Sequence, residues 1–315
     1  MKTNKPVVTA LAAWMVGMAL VVSGCGGSPA SPDGGTAANP NIVNTGTFTV
    51  EYIPPAMGAA MGKTTYKVLV TNSATKAPVT GAAVTVDPAN TVMTMTGGMT
   101  HTTPIANTTL TDMGNGLYQG DIYYLMASTG GSWNLCINVD DHSGAVTMPE
   151  MADFTPNVGM AMGDTKAVQL KGFADKISNM MTPEARKYYL FNDGGTSGTA
   201  FNIFLATRES MLNHVAVSGG TILKDHMAAT WKVDPATSLA VSSDGGTTWT
   251  SFTDNAGGKW SVNPGNLAPG THNLRVKLSV TTNTPVTVWS GEFKTTDGLA
   301  ATGTNDFQTF SVTVP

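Results

Sequence analysis

Methionine is the residue type in this chain whose clustering most suggests chemistry. The chain has 18 methionines, and a dense group lies in residues 93–101 and ends at a histidine. Thioethers are soft, uncharged ligands that favour Cu(I), and they bind it without losing a proton. Three sulfurs, or two sulfurs and an imidazole, would complete such a site. The sequence therefore predicts a Cu(I) site whose ligands come from this group and from a pair near residue 150: Met93, Met95, Met99, His101, Met148 and Met151.

Core packing offers a second interpretation of the same methionines. Met93 and Met95 are two residues apart, so a β-strand would place both side chains on one inward face. Methionine also fills irregular gaps in cores and forms adaptable contact surfaces. The group is therefore either a copper site or ordinary packing. The direction in which the strands point these side chains distinguishes the two interpretations.

No catalytic motif accompanies these residues. The chain contains no G-x-S-x-G, H-E-x-x-H, Walker loop or C-x-x-C sequence. His214, His226 and His272 stand singly in separate segments, and we interpret them as surface or capped residues. The few glutamates do not pair with aspartates in a way that suggests acid and base roles. We therefore expect a binding or accessory protein and not an enzyme.

The N-terminus indicates where the protein works. Two lysines precede an apolar run over residues 7–22, which ends in Val22-Ser23-Gly24-Cys25. This pattern resembles a bacterial lipoprotein signal, in which residues 1–24 are removed and Cys25 carries the lipids. Gly26 after the cysteine resembles the pattern sorted to the outer membrane. We expect an envelope protein anchored by lipid, facing the periplasm or the cell surface, with an uncleaved anchor helix as the alternative.

The composition favours an exported β-protein. Charged residues make up only 12% of the chain and glycine is abundant, which disfavours long helices. Removal of the two signal lysines would change the formal charge from −4 to −6, so no basic face for nucleic acid is expected. With Cys25 lipidated, Cys136 remains alone and no internal disulfide forms. We expect Cys136 to be buried beneath another element, with a metal ligand or an intermolecular bridge as alternatives.

Strand patterns predict the first half of the domain organisation. Residues 25–46 lack apolar periodicity, so we expect the lipidated cysteine to be followed by a flexible tether. Apolar alternation begins at Phe48, Val50 and Tyr52 and recurs between turn signals over residues 47–150. This rhythm is typical of a sandwich of two antiparallel sheets.

The second half is less regular. Residues 151–226 form a β-rich middle segment, in which Thr182-Pro183-Glu184 predicts the start of a short helix. Residues 227–315 return to strand alternation and predict a second sandwich. The predicted fold class is all-β, with tandem immunoglobulin-like antiparallel β-sandwiches after the signal peptide and tether.

The first predicted sandwich carries four motifs in order: Lys76-Ala77-Pro78-Val79-Thr80-Gly81-Ala82-Ala83-Val84, Leu110-Thr111-Asp112, Gly116-Leu117-Tyr118-Gln119-Gly120 and Gly131-Ser132-Trp133-Asn134-Leu135. In order and spacing they resemble the YtkA/FixH-like family of small exported domains. The resemblance implies an immunoglobulin-like envelope domain without enzymatic activity, associated with copper handling or with assembly of respiratory oxidases. Met93, Met95 and Met99 stand where that family carries a methionine-rich loop.

The second predicted sandwich contains one further motif. Ser242-Ser243-Asp244-Gly245-Gly246-Thr247-Thr248-Trp249 fits the Asp-box pattern, in which the aspartate caps a hairpin loop and the tryptophan packs beneath it. The pattern occurs in sialidase propellers and also in immunoglobulin-like accessory domains, such as the dimerisation domains of molybdenum oxidoreductases, which this region resembles. A propeller would need several copies, so we interpret the motif as a stable turn.

Three functions follow from these patterns. We expect a lipid-anchored accessory protein of the envelope that captures or delivers Cu(I) and contacts an envelope protein or redox complex. The alternative is a metal-independent structural or interaction lipoprotein. A weaker alternative is carbohydrate binding, for which Trp249, Trp260 and Trp289 would have to form an exposed platform.

The lipobox generates the first testable prediction. Replacing Cys25 with Ser removes the thiol that would carry the lipid, so the protein should move from the membrane fraction to the soluble fraction. Fractionation with fatty-acid labelling measures this. A Cys136→Ser variant should stay with the membrane; continued membrane association and labelling of Cys25→Ser would contradict lipidation at this residue.

Overall fold

The computed structural model describes residues 39–142, 148–177, 182–194, 196–210, 212–224, 230–233, 239–282, 287–289, 294–295 and 307–315. The predicted signal peptide, Cys25 and His226 lie outside the described residues. Among the described residues, no helix is long and apolar enough to cross a membrane.

The described residues form β-strands and one short 3-10 helix, Ser128–Gly130, without an α-helix. The earlier strands are β1 (Ile42–Asn44), β2 (Phe48–Ile53), β3 (Ala59–Ala60), β4 (Gly62–Asn72), β5 (Ala83–Val86), β6 (Val92–Met95), β7 (Thr100–Thr102), β8 (Thr111–Asp112), β9 (Leu117–Tyr124), β10 (Gly131–Trp133), β11 (Leu135–Asp140), β12 (Glu150–Phe154) and β13 (Val158–Gly159). The later strands are β14 (Ala167–Ile177), β15 (Glu184–Asn192), β16 (Phe201–Ser210), β17 (Asn213–Ala216), β18 (Ile222–Lys224), β19 (Thr230–Val233), β20 (Leu239–Ser242), β21 (Thr250–Ser251), β22 (Thr253–Asp254), β23 (Lys259–Val262), β24 (Gly270–Thr282), β25 (Thr287–Trp289), β26 (Lys294–Thr295) and β27 (Gln308–Val314). The predicted all-β fold class is confirmed.

The first sandwich packs one five-stranded sheet, in the order β1-β2-β4-β9-β8, against two three-stranded sheets, β12-β11-β5 and β10-β6-β7. Alternate residues of each strand face the shared core, as the buried positions of β2 show at Phe48, Val50 and Tyr52. Trp133 and Leu135 fill the same core from the opposite side. The predicted alternation and the predicted sandwich are therefore confirmed here.

The second sandwich draws its strands from both later segments. One sheet runs in the order β22-β23-β16-β15-β14-β26 with β17 beside β16, and the other centres on β24 with β18 to β21, β25 and β27. Their shared core extends from Leu170 to Val312. The middle strands β14 to β17 therefore share the core of the C-terminal sandwich, whereas β12 and β13 pair with strands of the first.

Two local expectations are wrong. Thr182-Pro183-Glu184 does not begin a helix, because Glu184 opens β15, whose backbone pairs with β14 and β16 and whose apolar side chains are buried. Residues 42–44 of the predicted tether form strand β1 instead of a flexible segment. Their pairing with β2 and the packing of Val43 on the core explain this order.

The two sandwiches meet through a sheet that is buried on both faces. On β15 and β16, Leu190 and Leu205 face the inner core, whereas Phe191 and Phe204 point outward. The outward rings cover Tyr123 of β9, which stacks on Phe204 with ring centroids 4.1 Å apart. This second apolar cluster joins the sandwiches over the ends of β4 and β9.

A carboxylate fixes the first strands of the chain. Glu150 of β12 accepts hydrogen bonds from the Thr45 hydroxyl at 2.5 Å and from the backbone N–H groups of Thr47 and Phe48. Burial raises the pKa of Glu150, but these hydrogen bonds favour the ionised form and leave the pKa below its usual value. The interaction therefore contributes stability above the unfolded pKa of about 4, and that contribution is lost as the pH falls.

Glu150 generates the second prediction. A Glu150→Gln variant should lower the free energy of unfolding by about 1 kcal/mol at pH 7, because the charge-assisted hydrogen bonds weaken. The difference from the unchanged protein should shrink as the pH falls through about 4. Urea denaturation at pH 7 and pH 3 measures both effects, with Glu51→Gln on β2 as control. An equal difference at both pH values would contradict this role.

Candidate metal centre

The structure brings the predicted cluster of residues 93–101 to one face of a hairpin. Met93 of β6 lies opposite His101 of β7, and the Met95 N–H donates to the Met99 carbonyl at 2.8 Å. Because side chains alternate along strands, the register places all four of these side chains on the same face. Met93 is fully buried in the core, His101 is 8% exposed, and Met99 is 60% exposed. The face therefore runs from the core to the surface.

Met148 and Met151 are not part of this group. Met151 lies on β12 opposite Asn138 of β11, in a different sheet from β6 and β7. Asn134 bonds Val92 next to the cluster, and the four residues from there to Asn138 span about 13 Å along the strand. Both methionines are exposed, at 76% for Met148 and 41% for Met151. The strand order separates them from the hairpin.

His101 instead borders a cavity of about 390 Å³ between the two sandwiches. The first sandwich supplies Met61 and Met126 to the same wall, because Gly62 and Tyr124 are paired where β4 begins and β9 ends. The chain after β7 is tied to this end of β9, since the Tyr123 N–H donates to the Pro104 carbonyl. Two thioethers and an imidazole therefore converge at one end of the sandwich.

The second sandwich closes the cavity with polar side chains. Gln169 faces Tyr189 across β14 and β15, and Arg208 faces His214 across β16 and β17. These residues continue the outward face that carries the aromatic contact with Tyr123. The same sheet face thus joins the sandwiches and supplies a second imidazole to the cavity.

The tautomer of His101 follows from its hydrogen bond. Its Nδ1 lies 3.0 Å from the Thr102 carbonyl oxygen, which can only accept, so Nδ1 carries the proton and donates it. In the neutral ring Nε2 holds a lone pair, and this atom is buried without a hydrogen-bond partner among the described residues. Trp133 packs at right angles to the ring and restricts its rotation. A backbone carbonyl on one nitrogen and a lone pair on the other is the usual arrangement of a metal-binding histidine.

Thr102 also contacts the second imidazole. Its hydroxyl lies 2.9 Å from Nδ1 of His214, and Nε2 of His214 is buried without a hydrogen-bond partner in the described part of the chain. Burial, with the positive charge of Arg208 nearby, lowers the pKa of His214 to about 3. The ring is therefore neutral at physiological pH. When Nδ1 donates to the hydroxyl, Nε2 presents a second lone pair.

Two methionine side chains end beside Gly130, close in sequence to Trp133. The methyl carbons of Met126 and Met93 would lie 3.4 and 3.6 Å from a Cβ placed on Gly130, so both side chains end beside this glycine. The Trp133 indole donates to the Met126 carbonyl at 2.9 Å and fixes the backbone there. Met93, Met126 and His101 thus surround one end of the Trp133 side chain.

The donors around the cavity have a definite chemical character. Among the described residues, no group of three or more His, Cys, Asp or Glu side chains could hold a metal ion. The available donors are two imidazoles and thioethers, which are neutral and soft. Arg208 and Lys187 line the cavity as cations, and Arg208 forms an ion pair with Glu184. Of the predicted ligands, only His101 borders the cavity; His214, Met61 and Met126 are additions from the structure.

Other predicted residues have clear positions. Cys136 is fully buried, as predicted, under the turn at residues 87–91, and its N–H donates to the Thr91 hydroxyl at 3.2 Å. His272 is capped by the Ala268 carbonyl at 2.7 Å, which confirms its interpretation. The interpretation of His214 as a surface or capped residue misses the inter-sandwich cavity.

The Asp-box turn has the predicted geometry. Asp244 Oδ1 accepts from the N–H groups of Thr247 and Thr248, and Trp249 packs under the loop with its indole donating to Gly246. Trp260 is 2% exposed and bonds the Val217 carbonyl, so it cannot belong to an exposed sugar platform. The side chain of Trp289 lies outside the described residues.

Comparison with known proteins does not assign this chain to a family. No protein-family model matches this chain, and no curated protein is significantly similar to it.

The contact between the sandwiches generates the third prediction. Asp193 accepts a hydrogen bond from the Tyr123 hydroxyl and forms an ion pair with Lys63 at 3.0 Å. Asp193→Ala should lower the free energy of unfolding by about 2 kcal/mol, because it leaves the buried Tyr123 hydroxyl without its acceptor and removes one of the two carboxylates paired with Lys63. Denaturant titration measures this, with Asp254→Ala as control. A change no larger than that of the control would contradict the assigned role of Asp193.

Proposed function

We propose that this protein is a lipid-anchored binding protein of the bacterial envelope, without catalytic activity, that captures Cu(I) between its two sandwiches. One observation carries the proposal: His101 and His214 border the same cavity, each with a buried Nε2 that has no hydrogen-bond partner among the described residues. Two thioethers, from Met61 and Met126, border the same space. The lipobox that ends at Cys25 supports the location.

Buried nitrogens without partners favour a bound ligand. Leaving a buried polar atom unsatisfied costs about 1–3 kcal/mol, so a ligand that bonds both nitrogens in one cavity would be stabilised there. Thr102 orients both rings, through its carbonyl for His101 and its hydroxyl for His214. Such outer contacts are typical of metal-binding histidines. A metal ion is therefore a better match than water alone.

Charge favours a monovalent ion. Thioethers and neutral imidazoles bring no negative charge, and Lys187 borders the cavity together with Arg208, whose charge is offset by Glu184. Their repulsion of a divalent ion would be twice that of a monovalent ion at the same place. Thioethers also select Cu(I) over harder ions. Cu(I) thus fits both the charge and the softness of the site.

The methionine-rich hairpin provides a competing ligand set. Met93, Met95, Met99 and His101 share one face, so they could hold Cu(I) nearer the surface. Met93, however, is fully enclosed in the core and supports Trp133. We assign the equilibrium site to the cavity, with His101 common to both sets.

A metal-independent interaction lipoprotein is the second candidate. Several methionines are exposed, including Met57 at 99% and Met148 at 76%, and such side chains suit an adaptable contact surface. The partner would be an envelope protein or a redox complex. Its distinguishing property is that binding would not require copper.

A Cu(I) competition titration against a chromogenic chelator gives the fourth prediction. The detergent-solubilised full chain should bind one Cu(I), and His101→Gln/His214→Gln should weaken binding roughly 100-fold because both nitrogen donors are lost. The hairpin variant Met93→Leu/Met95→Leu/Met99→Leu should keep its affinity, since these changes conserve volume. His272→Gln is the control for loss of a histidine elsewhere.

Three other outcomes would contradict the assignment. Loss of binding in the hairpin variant with full binding by His214→Gln would move the site to residues 93–101. Equal affinity of the double histidine variant and the unchanged protein would remove both imidazoles from the site. Absence of binding by the unchanged protein would end the copper proposal and leave the interaction lipoprotein.

A further inference from the structure

A two-stranded ribbon places exposed thioethers beside the cavity. Strand β3 pairs in parallel with β13, with Ala59 opposite Val158 and Ala60 opposite Gly159. The Met61 N–H donates to the Gly159 carbonyl at 3.0 Å, which completes the Ala60–Gly159 pair and places Met160 directly after the residue bonded to Met61. Met61 borders the cavity and is half-buried. Met160 therefore neighbours a cavity residue from the solvent side.

The exposed methionines stand on the segment that connects the sandwiches. Residues 160–166 lead from β13 into β14, whose first residues Ala167 and Val168 border the cavity. Met160 is 64% exposed and Met162 is 83% exposed. Neither side chain gains much from packing, so core filling does not explain them. The segment that carries them continues into Ala167 and Val168, which line the cavity beside its soft donors.

Resting on the proposed function, we infer that Met160 and Met162 form a surface loading site that takes Cu(I) from its donor and passes it through Met61 to His101 and His214. Each transfer is a ligand exchange, in which a new Cu–S or Cu–N bond forms as the previous Cu–S bond breaks. The metal remains Cu(I), and thioethers release no proton. The loading site controls the rate of uptake, whereas the cavity controls the affinity.

The ribbon supplies its own control. Met57 is 99% exposed and lies in the turn before β3, where the Gly58 N–H donates to the Pro55 carbonyl, and it does not line the cavity. Met113 is 52% exposed and precedes the start of β9, at the opposite end of that strand from Met126. A Met57→Leu/Met113→Leu variant therefore removes two exposed thioethers without touching the route.

Stopped-flow transfer of Cu(I) from its chelator complex to the detergent-solubilised full chain tests the inference, with equilibrium affinity measured on the same samples. Met160→Leu/Met162→Leu should slow transfer roughly tenfold and leave the affinity unchanged. The Met57→Leu/Met113→Leu control should match the unchanged protein in both measurements. This is the fifth prediction.

The outcomes separate the loading site from the copper proposal. Binding with unchanged transfer rate in Met160→Leu/Met162→Leu would overturn the loading site alone. Loss of equilibrium affinity in that variant would make these methionines permanent ligands and would also overturn it. If Cu(I) transfer were slowed equally in the control variant, the effect would be a general property of exposed thioethers, and the loading site would be overturned. Absence of Cu(I) binding by the unchanged protein would overturn both proposals.

Discussion

The proposed site depends on the contact that holds the two sandwiches together. The ring of Tyr123 stacks on Phe204, and its hydroxyl donates to Asp193, which also binds Lys63. These interactions bury the outer face of the sheet formed by β14 to β17 and set it against the end of β4 and β9. Because His214 lies on that sheet, the distance between its ring and that of His101 is fixed by this contact. The cavity is thus a property of the pair of sandwiches.

Burial determines which donors the cavity offers in the proposed site. A neutral His214 is favoured by burial, and the hydrogen bond from His101 Nδ1 to the Thr102 carbonyl sets the tautomer of the neutral His101 ring, in which Nε2 holds the lone pair. Thr102, the last residue of β7, therefore contacts both imidazoles. Thioethers from Met61 and Met126 add soft donors without charge. Arg208 would repel an ion with one positive charge less than it would repel a divalent ion.

The sequence predicts local features better than contacts between domains. Alternation at Phe48, Val50 and Tyr52 identifies a half-buried strand, and the Asp-box around Asp244 predicts its own turn, because both depend on neighbours along the chain. His214 is different, since it reaches the site only through pairing with Arg208 and contact with the other sandwich. In the sequence, residues 187–191 and 203–206 carry apolar side chains on both faces of their strands. This pattern indicates a sheet that is buried on both faces.

Copper K-edge X-ray absorption of the Cu(I)-loaded full chain tests most directly whether His101 and His214 bind the metal. It reports the type of atom bound to the metal, so it separates a cavity site from a methionine-only site. We expect the Cu(I) ligands to be imidazole nitrogen from His101 and His214 together with thioether sulfur. A spectrum with sulfur ligands alone, unchanged in a His214→Gln variant, would contradict it.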